Sequence, residues 1–208
     1  MLKEKIIEHV DWEKVNNLLP TIIQHNFSGE ILMHGYMNKD ALQKSISTKL
    51  VTFYSRVKKR LWTKGETSGN FLNLIEYSLD CDKDCLLILA NPINDTSCHL
   101  KKRSCFDPLY SKITFLYLLE KKISRIKNNF NHKSYTSQLY KKGVNKIAQK
   151  VGEEGVEVAI ASVLKDSSNL INEVSDLIYH ILVLLQSQNI SFFEIISNLK
   201  KRNNKLNK

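Results

Sequence analysis

The chain has 208 residues, 42% hydrophobic and 25% charged, long enough for one large or two small domains and of globular composition. Its longest apolar runs, residues 86–90 and 181–185, fall far short of the roughly 20 residues that span a bilayer. Residues 1–5 lack the apolar core of a signal peptide, so a cytoplasmic protein without a membrane partner is expected. The net charge of +10 is uneven: residues 1–110 hold 15 basic and 13 acidic side chains, residues 111–208 hold 16 and 8. A basic half suits nucleic acid or a polyphosphate equally. No basic run is interleaved with aromatics and no nucleic-acid module is recognisable, so no nucleic-acid partner is expected.

In chain order, residues 30–36, 51–55 and 86–90 read as short strands, with a helix over 38–47 between the first two. The polar stretch 64–70, bounded by Gly65 and Gly69, reads as a loop able to wrap a ligand. After Asp107-Pro108 the pattern turns helical, near 112–129, 136–165, 168–188 and 191–204. No proline follows Pro108 to interrupt them. The last segment opens Ser191-Phe192-Phe193-Glu194, a capping box. The expected organisation is a β-rich α+β domain over 1–110 followed by an all-α bundle over 111–208.

All four cysteines lie between Cys81 and Cys105, in Asp80-Cys81-Asp82-Lys83-Asp84-Cys85, Cys98-His99 and Ser104-Cys105-Phe106. Clustering favours thiolate metal ligands in a reducing compartment over disulfides. Thiolates suit zinc and carboxylates suit magnesium. If 80–85 is extended, the two donor types point to opposite faces, giving adjacent sites of different chemistry and suggesting a metal-dependent hydrolase. A catalytic zinc keeps one position open for water, so three thiolates suffice. Extended geometry puts Cys81 and Cys85 about 13 Å apart, and Cys85 runs straight into an apolar strand, so it reads as a buried core cysteine. The expected ligands are therefore Cys81, Cys98 and Cys105. His99 reads as a fourth ligand, a core histidine or a general base.

In the second half, Glu153, Glu154 and Glu157 fall on one predicted helix and Glu173 and Asp176 on the next. The i, i+3 spacing puts Glu154 with Glu157, and Glu173 with Asp176, on one face each. Leu170, Val174, Leu177, Ile178, Ile181 and Leu185 read as the core stripe of the second helix. Glu173, Asp176 and His180 lie along its edge. A solvated acidic face is the plain alternative, but like charges at this spacing repel by roughly 0.2–0.5 kcal/mol per pair, and a magnesium ion would reverse the sign.

The runs Leu32-Met33-His34-Gly35-Tyr36-Met37-Asn38, Thr52-Phe53-Tyr54-Ser55-Arg56 and Trp62-Thr63-Lys64-Gly65-Glu66-Thr67-Ser68-Gly69-Asn70, with the cysteine motifs, resemble phosphoribosyl-AMP cyclohydrolase of histidine biosynthesis. The second half, through Ser134-Tyr135-Thr136, the stretch 150–157 and the stretch 173–180, resembles phosphoribosyl-ATP pyrophosphohydrolase. Together they resemble the fused bifunctional enzyme over nearly the whole chain. The resemblance implies an intertwined homodimer acting on two small-molecule substrates. Cys81, Cys98 and Cys105 would bind zinc with ligands from both chains, Asp80, Asp82 and Asp84 would bind magnesium, and His99 would move protons. Arg56, Lys64, Glu66 and Ser68 would contact substrate. Glu154, Glu157, Glu173 and Asp176 would hold magnesium on the triphosphate, with Glu153 beside them as base or support and Lys150 on a phosphate. Members of this family usually carry Ala where this chain has Gly155 and Ser175. Two other readings keep part of this pattern: a zinc deaminase fused to a nucleotide pyrophosphatase, and a zinc-stabilised RNA-binding module.

Overall fold

The computed structural model describes residues 6–128 and 134–206. The leader reading on 1–5 and the end of the predicted 112–129 helix lie outside them. The chain divides into two compact units between Phe115 and Leu116, the first built around a sheet and the second helical.

The first unit runs α1 (Ile6–His9), β1 (Leu19–His25), β2 (Ile31–Met37), α2 (Lys39–Thr48), β3 (Thr52–Ser55), β4 (Arg60–Thr63), β5 (Leu72–Leu79) and β6 (Leu86–Pro92). Four strands form a sheet in the order β2-β1-β6-β5. β1 and β6 pair in parallel, and the other neighbours are antiparallel. β1 carries Pro20, a residue that usually demotes a strand, and was not expected from sequence. Pro20 faces Tyr36 of β2, and pairing with β6 starts only at Thr21, so its missing N–H costs no ladder bond on that side. β1 buries alternate residues, including Leu19, Thr21 and Ile23. Leu86, Ile88 and Ala90 of β6 join them in the core.

α2 begins at Asn38, whose Oδ1 accepts the Ala41 N–H at 2.9 Å, and buries Ala41, Leu42 and Ser45. β3 and β4 form a separate hairpin. Its seam includes a 3.0 Å hydroxyl contact between Thr52 and Thr63. Gly35 lets β2 approach this hairpin, since a Cβ there would lie 2.5 Å from the Phe53 ring. The expected ligand loop opens at Gly65, with φ +98° and Phe71 N only 2.5 Å from a Cβ position; only glycine fits both conditions.

The second unit comprises α3 (Thr114–Asn128, whose first turn closes the first unit), α4 (Tyr135–Lys142), α5 (Val144–Val163), α6 (Ser167–Ser187) and α7 (Phe192–Leu206). The single helix expected over 136–165 is two, broken at Gly143 with φ +82°. Asp166 caps α6 by accepting the Asn169 N–H at 3.0 Å. The capping box of α7 forms as expected, with Glu194 accepting the Ser191 N–H and Ser191 Oγ accepting the Phe193 N–H. Lys127 closes the C-terminal end of α6 by donating to the Gln186 carbonyl at 2.8 Å.

Ile123, Leu139, Ile147, Leu182 and Val183 form the core of this unit. The stripe predicted on α6 is displaced: α6 buries His180, Leu182 and Val183, while Val174 and Ile178 are exposed. Val156, Ile160 and Val163 of α5 and Ile171 of α6 are exposed as well. An amphipathic pattern marks which face is apolar but not which partner covers it. Among the described residues no helix is long and apolar enough to cross a membrane.

Candidate active sites

The segment 80–85 is a turn rather than a strand, so the expected alternation of thiols and carboxylates across a pleat does not arise. Asp80 N–H donates to the Cys85 carbonyl at 3.0 Å, and Asp80 Oδ1 accepts the N–H groups of Asp84 and Cys85, each at 3.0 Å. Lys83 takes a left-handed φ of 64°. The turn gathers Asp80, Asp82 and Asp84 with ligand-capable oxygens within 4.8 Å of one another. Lys14, which no sequence signal singled out, bridges Asp82 and Asp84, the latter at 2.7 Å, and its ammonium holds the Asp82 carboxyl below the usual range. Three clustered carboxylates partnered by one cation form a hard-donor set that fits magnesium. Cys81 on this turn is exposed and Cys85 half-buried, so Cys85 is not the core residue expected.

Cys98 and Cys105 lie on the loop that follows β6. That loop is clasped to β2, with Cys105 N–H donating to the Leu32 carbonyl at 2.8 Å and Ser104 Oγ to the Ile31 carbonyl at 2.7 Å, and it is braced within itself by Ser97 Oγ donating to the Arg103 carbonyl at 2.6 Å. Arg103 pairs with the buried Glu30; neither residue carried a sequence signal. The clasp leaves Cys98 buried. The Leu100 N–H points at Cys98 Sγ from 3.5 Å. Two soft donors with backbone support fit zinc. Protein mass around Cys105, then its neighbour Cys98, raises the Cys105 thiol pKa against the pull of Lys64.

Lys64 is buried at 5% exposure, not a surface charge, and burial lowers its pKa against the opposing effect of Cys105 and Cys98. His99 is exposed, with Nδ1 3.9 Å from Cys98 Sγ, which removes the core-histidine reading. Arg56 lies 4.1 Å over the Tyr36 ring. Glu66 pairs with Arg60 and accepts the Thr63 N–H at 3.1 Å, and Ser68 is exposed. Among the described residues only two groups of three ligand-type side chains converge within 4.8 Å, and neither contains a cysteine. One chain therefore does not bring Cys81 to Cys98 and Cys105.

In the second unit, the antiparallel α5 and α6 bring Glu154, Glu157 and Glu173 within 4.8 Å of one another. Glu154 is buried; Lys150 at 2.8 Å holds its carboxyl below the usual range although burial opposes this. Burial, and then Glu154 and Glu173, push the Glu157 carboxyl up. Crowded carboxylates that resist ionising together are satisfied by a divalent cation. Asp176 stands outside the three-residue group and lines a cavity of about 400 Å³ with Glu154, Lys150, Tyr135, Tyr179 and His180. Glu153 is not brought into the group. It is held by Gln149 at 2.6 Å and Lys150 at 2.8 Å, which argues for support rather than proton abstraction. Tyr135, at the start of α4, and Tyr179, inside α6, were missed as site residues because aromatics on helices read as packing.

A sheet unit with clustered cysteines and aspartates, joined to a helical unit with paired acidic helices, defines a two-site, metal-dependent hydrolase. Residues 33–107 match the family model for phosphoribosyl-AMP cyclohydrolase, and residues 116–203 match that for phosphoribosyl-ATP pyrophosphohydrolase. The chain is 53% identical to the histidine biosynthesis bifunctional protein HisIE of Yersinia pestis, covering 99% of this chain and 100% of the relative. It is 54% identical to that of Buchnera aphidicola subsp. Acyrthosiphon pisum, covering 99% and 95%, and 52% identical to that of Escherichia coli K12, covering 97% and 99%. The chain belongs to this bifunctional family, with a cyclohydrolase in its N-terminal part and a pyrophosphohydrolase in its C-terminal part.

Proposed function

We propose that residues 111–208 hydrolyse phosphoribosyl-ATP to phosphoribosyl-AMP and pyrophosphate, and that residues 1–110 then open the adenine ring of phosphoribosyl-AMP, in the cytoplasm. The observation that carries this reading is the pairing of two separate carboxylate clusters with family matches on the corresponding halves.

In the second unit, Glu154, Glu157, Glu173 and Asp176 are the residues to hold magnesium. Bound there, it would supply positive charge to neutralise and align the triphosphate for cleavage between the α- and β-phosphates. Glu154 is pre-set for this by Lys150, which Glu153 anchors from its other side, and Lys150 also faces the substrate.

In the first unit, Cys81, Cys98 and Cys105 are the residues to hold zinc, and Asp80, Asp82 and Asp84 magnesium. Zinc would supply a Lewis acid that makes water reactive at neutral pH. The water oxygen bonds to C6 and becomes a carboxamide oxygen, the N1–C6 bond breaks, and the two water protons pass to N1 and to the exocyclic nitrogen. His99, exposed beside Cys98, moves these protons. Arg56, Lys64, Glu66 and Ser68 face the substrate, the last three from the loop at Gly65.

The working form is a homodimer. Cys81 does not converge with Cys98 and Cys105 in one chain, so the partner supplies it. The apolar face of α5 and α6, with Val156, Ile160, Ile171 and Val174 exposed, gives a second copy a surface to cover.

The test is a time course with phosphoribosyl-ATP, Mg²⁺ and trace Zn²⁺ that records pyrophosphate and ring-opened product separately. Sequential appearance of both supports the assignment. Pyrophosphate alone removes the first-unit reading, and neither product from folded, metal-loaded protein removes both.

A further inference from the structure

Two donors approach one carboxylate oxygen of the second unit, and a third side chain stands against one of them. Lys150 Nζ lies 2.8 Å from Glu154 Oε1, and His180 Nε2 lies 3.6 Å from the same atom. Tyr135 Oη is 3.5 Å from His180 Nε2. All three side chains line the cavity of about 400 Å³ beside the acidic group.

The donor character of His180 follows from its surroundings. The residue is 4% exposed, and its Nδ1 is buried with no hydrogen-bond partner among the described residues. A neutral imidazole carries one N–H. Placing it at Nε2 gives it Glu154 and Tyr135 as partners, whereas placing it at Nδ1 strands it. The ring is fixed by edge contacts to Tyr135 and Tyr179, with centroids 5.9 and 5.3 Å away. Tyr179 is itself held by a 2.6 Å hydroxyl contact with Thr136. Lys150 is anchored from its other side by Glu153 at 2.8 Å.

The cavity wall thus presents an ammonium, an imidazole N–H and a phenol O–H, next to carboxylates suited to a divalent cation. Such a set recognises phosphate oxygens. Two of these donors now converge on a single carboxylate oxygen, and phosphate oxygens entering the cavity would engage them.

We propose that Tyr135, Lys150 and His180 bind the two phosphates that leave as pyrophosphate. This rests on the assignment of the second unit as the pyrophosphohydrolase and extends it to the leaving group, adding Tyr135 and His180 to the residues that touch substrate.

The test uses inorganic pyrophosphate with excess Mg²⁺, titrated calorimetrically into the full-length chain and into Y135F, H180F and H180Q, with Mn²⁺ titrated alone as the control. Y135F and H180F are expected to weaken pyrophosphate binding by about tenfold each, the size of one hydrogen bond to a charged group. H180Q keeps an N–H donor and is expected to stay within about threefold of the parent. Mn²⁺ affinity is expected to hold in all three. Unchanged pyrophosphate affinity in both Y135F and H180F, or an equal fall in Mn²⁺ affinity, overturns the proposal. Release of pyrophosphate from phosphoribosyl-ATP by the parent, assayed in parallel, separates the two levels. Release without the variant effects overturns the leaving-group assignment alone, and no release overturns the underlying reading with it.

Discussion

Cys105 is tied to Leu32 of β2, its N–H donating to the Leu32 carbonyl at 2.8 Å on the loop that also carries Cys98, while Cys81 sits on the β5–β6 turn and joins no three-ligand group among the described residues. If zinc needs all three thiols, each site in a dimer combines the turn of one chain with the loop of the other. C81S and C98S should then each lose zinc and ring opening while pyrophosphate release continues. Co-refolding them in equal amounts should restore about a quarter of parental ring opening. Half of the dimers are mixed, and each mixed dimer has one intact site and one doubly damaged site. Ring opening that stays at background in verified mixed dimers would place all three ligands in one chain.

Glu154 and Glu153 are sequence neighbours that share Lys150 but otherwise face different surroundings. Glu154 is buried among the acids, and Glu153 is tied to Gln149 and Lys150. E154Q should cut pyrophosphate release by roughly 10²–10³, the usual scale for losing one electrostatic contact at a reacting phosphate. E153Q should cost under about tenfold, since Lys150 keeps its bond to Glu154. Ring opening of added phosphoribosyl-AMP should be unaffected in both. Equal losses in the two variants would make Glu153 a direct participant.

The glutamate group was legible in the sequence because local spacing and a short link between two helices set it. The i, i+3 rule places Glu154 and Glu157 on one helix face, and a short link makes the next helix antiparallel, which brings Glu173 across. The aspartate cluster was legible as a set of residues but not as a shape, because a six-residue stretch with alternating donors reads as a strand. It folds as a turn because Asp80 bonds back to the N–H groups of Asp84 and Cys85, a local competition with the strand ladder. Lys14, Arg103 with Glu30, and His180 as a donor depend on contacts between residues distant in the chain, and no periodicity encodes those. The α6 stripe misled for a related reason: periodicity located an apolar face at Val174 and Ile178, while this chain leaves that face uncovered.

Gly155 occupies the interior of α5 next to Glu154, and a Cβ built on it meets nothing within 4 Å. Its backbone is helical, so alanine adds no strain and removes the unfolded-state freedom that glycine contributes. G155A should raise the stability of the second unit by about 1 kcal/mol, read as a higher urea midpoint at unchanged slope, with pyrophosphate release unaltered. A lower midpoint would mean that the open space at this position is occupied in solution, by a second chain against the exposed face of α5.

Tyr140 packs against the core of the second unit, and its hydroxyl is buried without a hydrogen-bond partner among the described residues. Burial, assisted by Tyr179, pushes its pKa up to about 12, from about 10 in an unfolded chain. Below pH 10 the hydroxyl is protonated in both states and its ionisation does not affect stability. Between pH 10 and about 12 the unfolded chain loses the proton while the folded chain keeps it, so stability falls as pH rises through this window. The hydroxyl also costs stability at neutral pH, because it gave up water and gained nothing. Y140F should therefore be more stable than the parent by about 1 kcal/mol at pH 8, and the gap should widen towards pH 11. Thermal unfolding of both proteins at the two pH values, compared as a difference so that other alkaline titrations cancel, decides it. A gap that stays constant with pH would mean that the Tyr140 hydroxyl reaches water in the folded protein.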